Sequence, residues 1–214
     1  MTRRLDPAIR AREDVPLLVV TLVACFSSIA ALLLQWVGWI RMPYTISFLT
    51  LPGMVAIISL LVWTRRTRRD LFFNRLTVGT VGAALGLIGY DAVRWLVQVT
   101  LPVHFDAFAA FPAFGHLMTG RPTTDAVAIA SGWVYHVTNG WTFGIIYTLL
   151  AGPARWWWGL VWGASLEAAM MIVYPSLLHP KSVSSFVIVS VIGHAVFGAI
   201  VGVTAERRAM AARP

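Results

Sequence analysis

Three ionisable side chains, His136, Glu167 and His194, each lie in the middle of a long apolar run, and the pair Asp91 and Arg94 lies in another. A charged group in a bilayer core carries an insertion penalty of about 2.5–3.5 kcal/mol, so each of these needs a partner or a task. Imidazole titrates near neutrality, and a carboxylate in a low dielectric shifts toward it, so histidine and glutamate can exchange protons. Two imidazoles and a carboxylate, with Asp91 or water completing the shell, would equally suit zinc or iron. The plainer alternative is that each histidine donates to a backbone carbonyl or to Asn139 and ties helices together.

Depth and facing favour convergence. Asp91, His136 and His194 each lie ten residues from one end of their run, and Glu167 lies eleven from the matching end of its own. At a rise of about 1.5 Å per residue, four helices then carry one titratable group at nearly the same level. Gly132, His136, Gly140 and Gly144 form an i, i+4 row, with Asn139 one turn on from His136. Gly159, Gly163 and Glu167 form a second row, and Ser190, His194, Gly198 and Gly202 a third. Small residues four apart let helix backbones approach closely, so each polar group should face protein rather than lipid. Asp91 differs, because Arg94 follows it by three and the two can neutralise each other on their own helix.

The elements that must position these groups follow from composition. The 214 residues are 58% hydrophobic and 12% charged, about half the charged fraction of a soluble domain. Six runs approach the roughly 20 apolar residues a spanning helix needs, at 16–40, 45–64, 76–101, 126–151, 157–178 and 184–205. The first is too long for the core of a signal peptide and reads as a retained helix. With the N-terminus inside, thirteen of the arginines and lysine outside the spans fall on the cytoplasmic side and three (Arg41, Arg121, Lys181) on the outer side. That bias places both termini in the cytoplasm and explains the net charge of +8 as topology rather than nucleic-acid binding. Trp156, Trp157 and Trp158 beside Arg155 fit an inner-interface belt. The arginine-dominated cation set accords with a bacterial origin, hence an inner membrane. The reading is a single all-α transmembrane domain over 1–214, a polytopic bundle of about six helices.

Further features modify the bundle. Gly79, Gly82, Gly86 and Gly89 should bring the third helix close to its neighbours. Pro52-Gly53 should loosen or kink the second. In the long outer loop, 102–125, Phe105, Phe108, Phe111 and Phe114 recur every three residues, which predicts a short helix. The favoured placement for it is flat in the headgroups, with a lid or re-entrant element over a cavity as the alternative. Cys25, the only cysteine, reads as a buried structural thiol. His104, Asp106, His116 and His179 could meet on the outer face, although a solvated loop is the simpler reading. Haem ligation by His136 and His194 lacks the second histidine pair of dihaem bundles, and no phosphate loop, nucleophile elbow or zinc signature is present.

The last three helices carry His136-Val137-Thr138-Asn139, Tyr147, Trp158-Gly159, Gly163, Tyr174-Pro175 and Gly193-His194. In order and spacing this resembles the YagU-like family of small bacterial inner-membrane proteins, over about the C-terminal 80 residues. The resemblance implies a link to acid tolerance and a proton-related role rather than an enzyme. Three functional classes follow. The first is proton- or cation-linked transport or acid-stress protection, with His136, Glu167 and His194 as a midplane relay, Asn139 orienting His136, and the outer loop gating access. The second is an intramembrane metal-dependent enzyme using His136, His194 and Glu167 as ligands. The third is a structural or assembly subunit whose glycine faces recruit a second copy or a membrane-complex partner.

Overall fold

The computed structural model describes residues 7–103, 106–178 and 182–211, the side chains of 7–14 and of residue 178 excepted. His104, Phe105, His179 and Lys181 lie outside the described residues, as do the side chains of Arg10 and Arg12. Among the described residues every regular element is helical. We number them α1 (Pro7–Trp36), α2 (Met42–Arg66), α3 (Asp70–Thr100), α4 (Ala110–Thr119), α5 (Ala126–Ala151), α6 (Trp157–Leu178) and α7 (Val183–Arg208).

Five helices are long and apolar enough to cross a membrane: Val15–Trp36, Met42–Arg66, Asp70–Thr100, Trp157–Leu177 and Val183–Arg208. Their outer faces carry the residues lipid requires, among them Val55, Ile88, Ile172 and Phe48, which are 63%, 69%, 67% and 79% exposed. The sequence predicted six spans. The sixth, α5, has 26 residues and so about 39 Å of length, but it is not among the five. His136, Asn139 and its glycines and threonines dilute its hydropathy. Its second half is buried between α1 and α3, whereas Val127, Val134 and Val137 nearer its start are exposed.

Glycine determines which helices meet. A Cβ at Gly79 would collide with Thr148 and Ile145 of α5, and one at Gly86 would lie 2.8 Å from Phe197 of α7. Gly159 and Gly163 face Gly198, Gly202 and the His194 carbonyl, so α6 and α7 meet backbone to backbone. The helices therefore form a ring in the order α1, α5, α3, α7, α6, with α2 packed outside α1. The irregularity expected at Pro52 is a π-turn at Ile46–Thr50, where Leu51 N–H reaches back to the Ile46 carbonyl. Pro52 has no N–H and its ring displaces the preceding carbonyls, which a wider turn absorbs.

The arginine-rich segments share one end of the bundle. Asn74 at the start of α3 donates to the Arg208 carbonyl (3.1 Å) and accepts from Met210 N–H (2.7 Å). Trp156 N–H donates to Glu206 (3.1 Å), and Arg75 donates to the Leu149 carbonyl (3.1 Å). At the opposite end α5 starts on Asp125, whose carboxylate accepts from Val127 N–H (2.8 Å) and from Arg121 (3.2 Å). These bonds, the backbone one foremost, hold its carboxyl below the usual carboxylate range. A depressed folded-state value means a stabilising contribution present above the unfolded value, near pH 4, and lost as pH falls through the folded one. Asp125→Ala should therefore melt earlier than the parent at neutral pH. The gap should close on acidification, and a gap that persists unchanged to low pH would refute the capping role.

Candidate functional site

Ala107 lies against α3, and α4 packs antiparallel to α5. Gln98 accepts from Ala107 N–H (2.7 Å), and the Arg94 guanidinium donates to the Ala107 carbonyl. At Gly115 and Gly132 a Cβ would fall on the backbone of Ala128 and Phe111, so α4 and α5 touch main chain to main chain. Phe111 and Phe114 are buried. This corrects the expectation that the phenylalanine segment lies flat in the headgroups: it is a re-entrant element of the bundle. One apolar face looks the same in sequence whether lipid or protein covers it.

That element meets the predicted site. Asp91 pairs with Arg94 (3.6 Å) as its spacing predicted, and its second oxygen accepts from His136 Nε2 of α5 (3.1 Å). The Arg94 guanidinium sits over the Tyr90 ring at 4.6 Å and within 6 Å of Phe108 and Phe111. Phe111 also stacks on His136, with ring centroids 4.4 Å apart. The re-entrant segment thus closes over Asp91, Arg94 and His136.

Glu167 and His194 form a second, buried pair. His194 Nδ1 lies 2.8 Å from Glu167 Oε2 and 3.0 Å from the Ser190 carbonyl. A carbonyl only accepts, so Nδ1 carries the hydrogen and Nε2 is left for the interior. The Ser190 hydroxyl donates to the same carboxylate oxygen (2.6 Å), while Oε1 has no hydrogen-bond partner among the described residues. The backbone-carbonyl contact expected of a merely tying histidine is therefore present, together with an ionisable partner that such a role does not need.

Tyr90 joins the two pairs, with its ring 5.6 Å from that of His136 and 5.0 Å from that of His194. His136, Glu167 and His194 do not meet at one point: His136 pairs with Asp91 of α3, and His194 of α7 pairs with Glu167 of α6. Among the described residues no group of three or more histidines, cysteines, aspartates or glutamates is placed to hold a metal ion. The residues present thus do not fit the zinc or iron site that the sequence allowed. Asn139 also departs from expectation: it accepts the Ser28 hydroxyl of α1, while the hydrogen bond of His136 goes to Asp91. Tyr90 was missed by the sequence reading, although it follows Gly86 by four and so belongs to the same glycine face.

Inside the ring lies a cavity of about 280 Å³. His136, His194, Arg94, Asn139, Ser190 and Tyr90 contribute its polar lining, and Phe26, Leu33, Phe143 and Phe197 are among its apolar walls. Phe111 and Phe114 of the re-entrant element line it as well. Asp91 and Glu167 stand behind the imidazoles rather than on the wall. No family model matches the chain, and neither does any curated protein or solved structure.

Proposed function

We propose that this chain is a six-span protein of a bacterial inner membrane, with its arginine-rich end and both termini cytoplasmic, that handles protons in a proton- or cation-linked transport or acid-stress role. The observation that carries the reading is the Glu167–His194 pair. Arg94 balances Asp91, but among the described residues Glu167 has only His194 and Ser190 as polar partners. In a low dielectric such a carboxylate is stabilised by a proton shared with its imidazole, and losing that proton leaves an uncompensated charge. Tyr90 and His136 offer a continuation toward Asp91, and α4 would control access from the far end. The resemblance to the YagU-like family leans the same way. The alternative of an assembly subunit is less well supported, because the glycine faces it would use on α3, α6 and α7 are already occupied within the chain.

The test is proton flux into proteoliposomes under an imposed pH gradient, read with an internal pH dye. Glu167→Gln and His194→Gln should each reduce flux by about a hundredfold or more, with helix content and melting close to the parent. Parent-like flux in both variants would end the proposal.

A further inference from the structure

We propose that the central cavity binds a lipophilic monocarboxylic acid of medium chain length, its head at Arg94 and His194 and its tail along the apolar wall toward α1 and α6. The polar groups on the wall are a guanidinium, two imidazoles, the hydroxyls of Ser190, Tyr90 and Tyr174, the Trp162 indole and an amide, with no carboxylate among the described lining residues. Such a lining offers donors to an anion and no counter-charge to a cation. Arg94 is 5% exposed, yet its Nε has no hydrogen-bond partner among the described residues. Its stem packs on Gly193, the residue before His194, and Arg94 and His194 line the same cavity.

The rest of the cavity is apolar, and its volume equals roughly nine water-sized groups. That suits a carboxylate with a short alkyl chain and is too small for a full-length lipid tail. The way in follows from the ring. At the α4 end the α1–α6 seam is closed by Trp36 Nε1 donating to Ser176 (2.9 Å) and by Leu32, Val173 and Tyr174 in one packed cluster. Further along, Phe26, Leu33 and Ala169 line the cavity and are exposed, which opens it toward the lipid-facing side. An acid would enter in its neutral form. Its O–H bond breaks as the proton passes to His194 Nε2, and the resulting carboxylate pairs with Arg94 and the imidazolium. The excess positive charge this creates on His194 is met by Glu167 behind it, and Asp91, Arg94 and His136 are the other charged or titratable groups facing that corner. This step deepens the proton-handling reading and rests on it for the fate of the proton.

The experiment is calorimetric titration of the nanodisc-embedded chain with octanoate, octan-1-ol and octyltrimethylammonium, with empty nanodiscs as the blank. Octanoate should bind saturably at one site per chain, and octan-1-ol at least about tenfold more weakly for want of a charged head. Arg94→Lys, which keeps the charge but loses the planar fork, should weaken octanoate about tenfold. Ala169→Phe, which fills the tail region far from Arg94, should abolish binding with melting unchanged and decides the matter if Arg94→Lys does not fold. No saturable octanoate signal, equal binding of octan-1-ol, preference for octyltrimethylammonium, or unaltered octanoate binding by Ala169→Phe would each overturn the proposal. Octanoate binding retained alongside parent-like proton flux in Glu167→Gln and His194→Gln would instead overturn the proton-handling role and leave the cavity assignment standing.

Discussion

Gly132→Ala should destabilise the protein by at least about 2 kcal/mol, although alanine is intrinsically the better helix former by about 1 kcal/mol. The added methyl group would occupy the position of the Phe111 backbone carbonyl. Backbone cannot rotate aside as a side chain can, so α4 must lift off α5 or α5 must bend. Lifting α4 also withdraws Phe111 from His136 and the Ala107 carbonyl from Arg94. Gly82→Ala is the matched control. Its Cβ would meet Thr204 at 3.5 Å, an ordinary contact, so that variant should equal or slightly exceed the parent in stability. Unfolding of both variants in mixed micelles, followed by circular dichroism, makes the comparison. Equal stability of Gly132→Ala and the parent would mean that α4 is not seated against α5 at all.

Arg94→Leu should be about as damaging, with a loss of about 3–5 kcal/mol, because it leaves Asp91 without its permanent counter-charge and the Ala107 carbonyl without its donor. The size of the loss reflects an abandoned charge rather than the worth of the pair. Asp91→Asn in the same chain should therefore recover most of it, since a neutral amide needs no cation. His136 would keep a hydrogen-bonding partner in the double variant. A double-mutant cycle on unfolding measures the coupling. Additive losses would show that Arg94 acts through its packing on Tyr90 and Gly193 instead of through Asp91.

Much of this architecture is local and was therefore legible. Hydropathy and the i, i+4 rows are properties of single segments, and they placed α5 and α6 at their observed limits and the other long helices within a few residues at every end but the starts of α1 and α3. They also predicted that His136, Glu167 and His194 face protein, because the glycine that permits close packing and the polar group that needs shelter share one side of a helix. The Asp91–Arg94 pair was legible for the same reason, being a spacing of three on one helix. Even the irregularity of α2 was written in Pro52.

Neighbourhood is what the sequence left open. His136 could as well have met Glu167 as Asp91; α3 stands between α5 and α7, and that order alone assigned each imidazole its carboxylate. The order depends on which glycine face fits which, a match between surfaces far apart in the chain that no single segment encodes. Asn139 went to Ser28 instead of His136 because α1 covers that side of α5. The phenylalanine segment read as interfacial because lipid and a protein core both reward the same apolar face. The chain itself thus determined that apolar helices would carry a few sheltered ionisable groups at one level. Only the tertiary packing decided that those groups form two pairs around Tyr90 at the wall of a cavity, because pairing is a property of the assembled ring.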